Sequence, residues 1–356
     1  MTVDGNQPSL GATMRGVVLP GGDRTETRMF PVPKPATGQV LVKVKASGIC
    51  GSDLKFIYHQ HTGTGGSKYQ GVIAGHEPAG EIVAVGPGCG HWKVGDRVVV
   101  YHISGCGQCS ECRKGFYIGC TDERRKAYGW QRDGGHADYL LAEASTLLAL
   151  PESLTYIDGA MVACGVATAY QGLSRAEVSG RDRVLVVGLG PVGLATAMLA
   201  SASGAEVYGI DTVAARVALA QELGARPGIG PSATALSDLK RLTDGAGVEV
   251  AIDCSGSAAG RYFCLDAAAT WGRVVFLGEG GTVSFEPSPM LIRKQLTLYG
   301  SWVGSVESMA KTLAFLDRLQ LHPEAMVTHR FSLGEVDAAY QTFAAGSTGK
   351  VVLTMD

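Results

Sequence analysis

The chain has 356 residues, 46% of them hydrophobic and 18% charged, with a formal net charge of −2 and a sequence pI near 6.5. That length accommodates two domains with sizeable cores. The near-neutral balance excludes the electrostatic footprint of a protein that binds nucleic acid or an anionic membrane surface.

The N-terminus, Met1 to Thr13, is polar and lacks the charged-then-apolar layout of a secretory signal. It reads as a partly ordered tail. Nine cysteines without such a signal point to thiols in a reducing cytoplasm, where metal ligation is favoured over disulfides.

In chain order, Met14 to Leu19 and Gly38 to Ala46 read as strands, the second alternating after Leu41 as a sheet with one wet face does. Pro31, Pro33 and Pro35 make the connection between them stiff. The segment Ser47-Gly-Ile-Cys50-Gly-Ser52-Asp53 follows, and then a flexible stretch, His59 to Gly71, rich in Gly, Thr and Ser. Gly75-His76-Glu77 precedes a strand from Gly80 to Val85. Asp96 to Val100 resumes the strand pattern.

The most specific metal signal is Cys106-x2-Cys109-x2-Cys112-x7-Cys120. Four thiolates at that spacing close a tetrahedral shell around zinc. The first three cysteines also match part of a ferredoxin run. That run, however, takes its fourth cysteine after three residues and follows it with proline, whereas Thr121 follows Cys120 here. With all four ligands from protein, no position is left for substrate, so this is a structural zinc holding a lobe at about 102–124.

His136 to Leu141 reads as a strand, and a helix begins at Tyr156 and carries Cys164 and Thr168. From there the pattern changes to alternating strands and helices. Strands are expected at Val184–Val187, Val207–Ile210, weakly near 228–230, Val248–Ile252, Val274–Leu277 and Gln295–Tyr299. Helices are expected near 191–203, 213–223, 234–243 and 258–269. This is a doubly wound sheet of six βα-type repeats. After about 310 the alternation stops. Met309 to Leu319 reads as helix, Val327 to Phe331 as extended, Leu333 to Ala345 as an amphipathic helix and Val351 to Met355 as a closing strand.

The first strand of that repeat runs into Gly188-Leu-Gly190-Pro191-Val192-Gly193, the G-x-G-x-x-G dinucleotide fingerprint in its required strand–turn–helix context. Gly188 permits the tight turn, Gly190 lets backbone approach a pyrophosphate, and Gly193 lets helix and strand pack closely. The helix N-terminus presents free N–H groups to the phosphates. Val184 to Ser203 is almost entirely apolar, but the glycine interruption makes it a buried strand and helix, not a membrane span. Asp211 ends the second strand, where a carboxylate accepts the ribose hydroxyls of NAD and repels the 2′-phosphate of NADP. Thr212 and Val213 supply no arginine for that phosphate. Arg216, a turn further on, is placed to cover the adenosine. NAD is the expected cofactor.

Read alone, Cys50, His76 and Cys164 are dispersed soft ligands, and a cysteine on an apolar segment is more often a small core residue. That bland reading is kept for Cys89, Cys254 and Cys264. The order of motifs changes it for the first three. Gly48-Ile-Cys50-Gly-Ser52-Asp53, Gly75-His76-Glu77, the four-cysteine lobe, Cys164-Gly-Val-Ala-Thr168 and the glycine fingerprint occur in sequence. This arrangement resembles the zinc-containing medium-chain alcohol dehydrogenases over nearly the whole chain. The resemblance implies a GroES-like, mostly-β catalytic domain from residues 1–163 and 311–356, and a Rossmann NAD-binding domain from 164–310.

By that resemblance Cys50, His76 and Cys164 are the catalytic zinc ligands, with Glu77 behind the metal as an occasional fourth. Asp53 orients His76, Ser52 takes the proton from the alcohol, and Thr168 packs against the nicotinamide. Zinc lowers the pKa of the alcohol hydroxyl, and hydride passes to NAD. Two zinc ions per chain, a small alcohol or carbonyl substrate and a homo-oligomer, a tetramer before a dimer, follow from the same likeness.

Two positions depart from it. Lys55 stands where many relatives carry the histidine that ends the proton relay, so His59, His61 or water must serve instead. The second is Cys164, the third ligand, where the related polyol and threonine dehydrogenases tend to carry a glutamate, which leans towards a simpler primary or secondary alcohol. His102, just before the lobe, pulls the other way: it lies in a region that faces substrate in the family, where it brings polarity; otherwise it is a surface histidine. Polyol, sugar-derivative and threonine dehydrogenases therefore stay open as the sister reading. A non-catalytic NAD-binding redox sensor is the reading from another class, and the intact Cys50, His76 and Cys164 count against it.

Overall fold

The computed structural model describes residues 10–60, 69, 71–227, 230 and 233–355. The chain divides into two compact units, one of Met1–Cys164, Ser305–Gly346 and Val351–Asp356, the other of Gly165–Gly304 and Ser347–Lys350.

The first unit is built on strand Gln39–Gly48. Val40, Leu41, Val42, Val44 and Ala46 are fully buried, while Lys43 and Lys45 are half-buried on the wetter face. This strand pairs antiparallel with Glu77–Val85, Tyr139–Glu143 and Lys350–Thr354. Arg97–Val100, Leu147–Ala149 and Val327–Ser332 complete a seven-stranded sheet among the described residues. The centre is tight: a Cβ on Gly80 would stand 2.1 Å from the Lys43 carbonyl oxygen. A separate hairpin pairs Thr13–Val18 with Glu26–Pro31.

The second unit is a parallel sheet. Among the described residues its strand order is Glu206–Ile210, Arg183–Val187, Val248–Asp253, Ala268–Phe276, Thr297–Gly300. Val184, Leu185 and Val186 are consecutive and all fully buried, as a strand covered on both faces requires. Helices fall at Pro191–Ala202, Ala214–Glu222, Ala235–Leu242 and Ala258–Ala267. In Pro191–Ala202 eight of the twelve residues are buried, which accounts for its apolar sequence. No helix among the described residues is long and apolar enough to cross a membrane.

Several sequence expectations change here. Five strands, not six, are found in this sheet among the described residues. The weak one near 228–230 lies mostly outside them; what is seen nearby is an isolated parallel bridge between Tyr208 and Arg226. The expected flexible stretch, His59 to Gly71, also falls largely outside the described residues, as does most of the N-terminal tail. The helix expected from Tyr156 is interrupted. An α-helical start, Tyr156–Met161, widens into a π-helical turn, Val162–Val166, and returns to α-helix at Ala167–Arg175. A second π-helical segment, Asp53–His59, was not legible in the sequence.

Candidate functional site

Among the described residues two clusters of potential metal donors stand out, both in the first unit. In one, Cys106, Cys109, Cys112 and Cys120 place their sulfurs within 4.8 Å of one another. No disulfide joins any two cysteines among the described residues. The loop is shaped for the cluster: a Cβ on Gly105 would lie 2.5 Å from Cys112 Sγ, and Gly107 takes a positive φ of 74°. Backbone N–H groups of Gln108 and Cys109 point at Cys106 Sγ from 3.5 and 3.4 Å, and they draw that thiol down to about 6. Burial pushes the Cys112 thiol up to about 12, because four neighbouring thiols do not all ionise without a compensating cation. Cys106 Sγ and Cys112 Sγ are 3.8 Å apart. A tetrahedral zinc with bonds of about 2.3 Å sets its sulfurs about 3.8 Å apart. The donor chemistry and spacing fit zinc.

The second cluster brings together Cys50, His76, Glu77 and Cys164, with donor atoms again within 4.8 Å of one another. Ordered elements position each ligand. Cys50 leaves strand Gln39–Gly48 as the Ile49 N–H donates to the Val351 carbonyl at 3.1 Å. His76 precedes strand Glu77–Val85 and follows Gly75, whose φ is +88° and whose Cβ would collide with His136 Nδ1 at 2.3 Å. Residues 73–75 are clamped by hydrogen bonds from Gly134, Gly135 and His136 to the carbonyls of Ile73, Gly75 and Ala74. Cys164 lies inside the π-helical turn Val162–Val166. A bulge of this kind is frequent at functional sites, where it re-aims side chains that a regular helix would point elsewhere.

Asp53 links two of these ligands. Its carboxylate is fully buried. One oxygen lies 2.8 Å from His76 Nδ1 and the other accepts the Cys50 N–H at 3.1 Å. With Nδ1 donating to Asp53, the Nε2 lone pair of His76 is left for a metal. Burial opposes a charged His76 ring, but the negative charges of Asp53 and Cys50 outweigh it and hold its pKa well above the usual value. The pocket therefore favours positive charge. Two sulfurs, an imidazole and a carboxylate are a zinc donor set.

Of the other expected residues, Ser52 is half-buried immediately before the π-helical segment. Lys55 is exposed, its Nζ 5.2 Å from the Phe56 ring. His59 pairs with Asp23, and His61 lies outside the described residues. His102 is not a surface residue. It is 6% exposed, its Nδ1 is 2.8 Å from the Ala163 carbonyl, and its ring centroid is 5.5 Å from that of His76. Burial lowers its pKa to about 4, so it is neutral. One brace escaped the sequence reading. His136 bridges Ser47 Oγ at 2.9 Å and the Tyr340 hydroxyl at 3.1 Å behind the Gly75–His76 turn. Tyr340 is 204 residues away in sequence, and no local spacing signals such a contact.

In the second unit the three fingerprint glycines have different surroundings. Gly188 takes φ +87°, and a Cβ on Gly193 would stand 1.8 Å from the Gly188 carbonyl oxygen. Nothing lies within 4 Å of a Cβ on Gly190. Pro191 and Val192 open the helix. Asp211 accepts the Leu189 N–H at 2.6 Å and the Val213 N–H at 2.8 Å, so its carboxylate is fixed against the fingerprint turn. Arg216 approaches it at 3.8 Å and is tied by Nε to the Thr348 carbonyl at 2.8 Å. Thr168 is buried in the first turn of Ala167–Arg175.

Comparison with known proteins gives the same picture. Residues 36–152 match the alcohol dehydrogenase GroES-like domain and residues 191–318 the zinc-binding dehydrogenase domain. An uncharacterised zinc-type alcohol dehydrogenase-like protein of Escherichia coli is 52% identical over 96% of this chain and 98% of its own. An L-threonine 3-dehydrogenase of Pyrococcus abyssi is 34% identical over 91% and 93%. A zinc-binding dehydrogenase of Sinorhizobium meliloti, solved with NADP bound, superposes with a TM-score of 0.87 at 27% identity, over 97% of this chain and 100% of that one.

Proposed function

The chain belongs to the zinc-containing medium-chain alcohol dehydrogenases and is a zinc-dependent, nicotinamide-linked oxidoreductase of alcohols; on that premise we propose that NAD is its acceptor and that each chain carries one catalytic and one structural zinc. The observation that carries the proposal is the convergence of Cys50, His76, Glu77 and Cys164 on one point, braced by Asp53. Residues 1–163 and 311–356 supply the catalytic part and 164–310 the cofactor part.

When bound, zinc supplies polarisation of the substrate oxygen and NAD supplies hydride acceptance. The chain's own residues prepare the rest. Cys50, His76 and Cys164 hold the catalytic metal, with Glu77 as its alternate ligand. Asp53 fixes the tautomer of His76 and the backbone at Cys50. Ser52 accepts the hydroxyl proton, and with Lys55 exposed the proton leaves through water. Thr168 packs on the nicotinamide. Gly188, Gly190 and Gly193 seat the pyrophosphate on the helix opened by Pro191 and Val192. Asp211 receives the adenosine ribose, and its fixed carboxylate supports NAD over NADP. Arg216 flanks the adenosine.

A second reading, a threonine- or polyol-type dehydrogenase, is favoured by His102. Its Nδ1 faces the Ala163 carbonyl, so a neutral ring keeps Nε2 as an acceptor for a polar substrate group. Edge strand Thr297–Gly300, with exposed Ile292, Leu298 and Trp302 nearby, supports a homo-oligomer, proposed as a tetramer and tested by light scattering. The assigned location is the cytoplasm.

The test is NADH formation with NAD and NADP in parallel, against short, aromatic, diol and polyol alcohols and threonine. NAD-linked turnover of one class, lost on zinc chelation, supports the proposal. Preference for NADP would overturn the role of Asp211.

A further inference from the structure

The C-terminal ends of the parallel strands carry a buried carboxylate that the fingerprint does not use. Asp253 ends strand Val248–Asp253 and is fully buried. It accepts from Ser255 Oγ at 2.6 Å, from the Ser255 and Gly256 N–H groups at 3.0 and 3.2 Å, and from Arg261 Nε at 3.3 Å. Arg261 comes from helix Ala258–Ala267, and its other donors reach the next loop. Nη2 donates to the Gly278 carbonyl at 2.7 Å and Nη1 to the Gly281 carbonyl at 3.1 Å. Its guanidinium lies 5.5 Å from the Phe276 ring centroid. One side chain thus ties the loop after Val248–Asp253 to the loop after Ala268–Phe276.

The two loops are in close contact. A Cβ on Gly278 would stand 2.1 Å from Gly256 N, and one on Gly281 would stand 2.3 Å from the Gly256 carbonyl oxygen. They also meet the fingerprint. Cys254 N–H donates to the Val187 carbonyl at 2.8 Å, and a Cβ on Gly188 would be 2.8 Å from Ser255 Cα. Strand order reverses between Arg183–Val187 and Val248–Asp253, and open α/β sheets bind their ligands outside the strand ends at such a reversal. The 254–257 loop is then one wall of the nucleotide crevice.

We propose that Arg261 is a positioning residue for the nicotinamide cofactor, fixing that wall through Asp253, Gly278 and Gly281. The proposal rests on the nucleotide reading above. Lysine cannot replace the arginine, because a single ammonium does not span the carboxylate and two carbonyls with the fork of a guanidinium.

The test compares Arg261→Met and Arg261→Lys with Arg183→Met. Arg183 makes an equally rich set of bonds, to Glu249 at 2.6 Å and the Thr243 carbonyl at 3.1 Å, at the N-terminal end of the same sheet. NADH binding is read by fluorescence titration, and stability by thermal unfolding. Both Arg261 variants are expected to weaken NADH binding about tenfold or more, a misplacement effect, and to raise KM for NAD in parallel. KM for the alcohol at saturating NAD should hold. Arg183→Met should lose melting temperature yet bind NADH as the wild type does. Should Arg261→Met fail to fold, Arg261→Lys, which keeps the charge beside Asp253, carries the same expectation. Wild-type affinity in the Arg261 variants, or equal weakening in Arg183→Met, overturns the positioning role. Wild-type protein that binds no NADH overturns the nucleotide reading itself.

Discussion

Asp53 reaches two ligands with one carboxylate, so its charge matters more than its volume. Asp53→Asn keeps the shape but loses the acceptor that fixes the His76 tautomer. Changes of this kind cost about 10- to 100-fold in metal affinity or activity, measurable as zinc retained after dialysis and as kcat/KM. Full zinc and full activity in the variant would remove Asp53 from the account. Two other cysteines make a contrast. Burial pushes the Cys254 thiol up to about 12 and holds Cys264 well above the ordinary thiol range. Both should therefore resist alkylation at pH 8 in the folded protein and react on unfolding, as peptide mapping after iodoacetamide would show. At this scale the sequence was unevenly legible. The lobe cysteines announce themselves because their spacing is local. Cys50, His76 and Cys164 do not, since the folded chain alone brings them together, and only the order of motifs pointed to them. The burial of His102 was invisible, because it depends on the Ala163 carbonyl 61 residues away.

Elements impose a different kind of test. Gly190 and Gly193 are three residues apart and should fail differently. A Cβ at Gly193 meets a carbonyl oxygen at 1.8 Å, whereas at Gly190, with an ordinary φ of −66°, it meets nothing. Gly193→Ala should lower the melting temperature sharply. Gly190→Ala should fold normally and lose NADH affinity, because its methyl occupies the space a pyrophosphate needs. Equal effects in melting and titration would contradict the separate roles. The Arg183–Glu249 pair adds a pH dependence. Burial works against an ionised Glu249, but hydrogen bonds from the Arg183 side chain and N–H outweigh it and lower its pKa. A depressed carboxylate contributes its stability above the unfolded value and loses it as pH falls through the folded one. Glu249→Gln should therefore melt lower at neutral pH and show a shallower decline towards acid. The parallel strands and their helices were readable from apolar runs and glycine turns. The π-helical turns at Asp53–His59 and Val162–Val166 were not, because one extra residue per turn leaves no periodic signature in five to seven residues.

The molecule as a whole joins a zinc-binding unit to a nucleotide-binding unit, and its family membership states the reaction class without naming the substrate. Two zincs of different character are expected. The lobe offers four thiols and no open position, whereas on the proposed reading Cys50, His76 and Cys164 hold the other zinc and leave its fourth position to substrate. Metal analysis should give two zincs per chain, with Cys50→Ala keeping the lobe zinc and Cys106→Ala losing it along with stability. The most direct test of the central claim is NADH formation from NAD by the wild type and by Cys50→Ala, side by side, over the alcohol panel. The account predicts saturable, alcohol-dependent turnover in the wild type and none in the variant, with the lobe zinc still present. Turnover that survives in Cys50→Ala would contradict it.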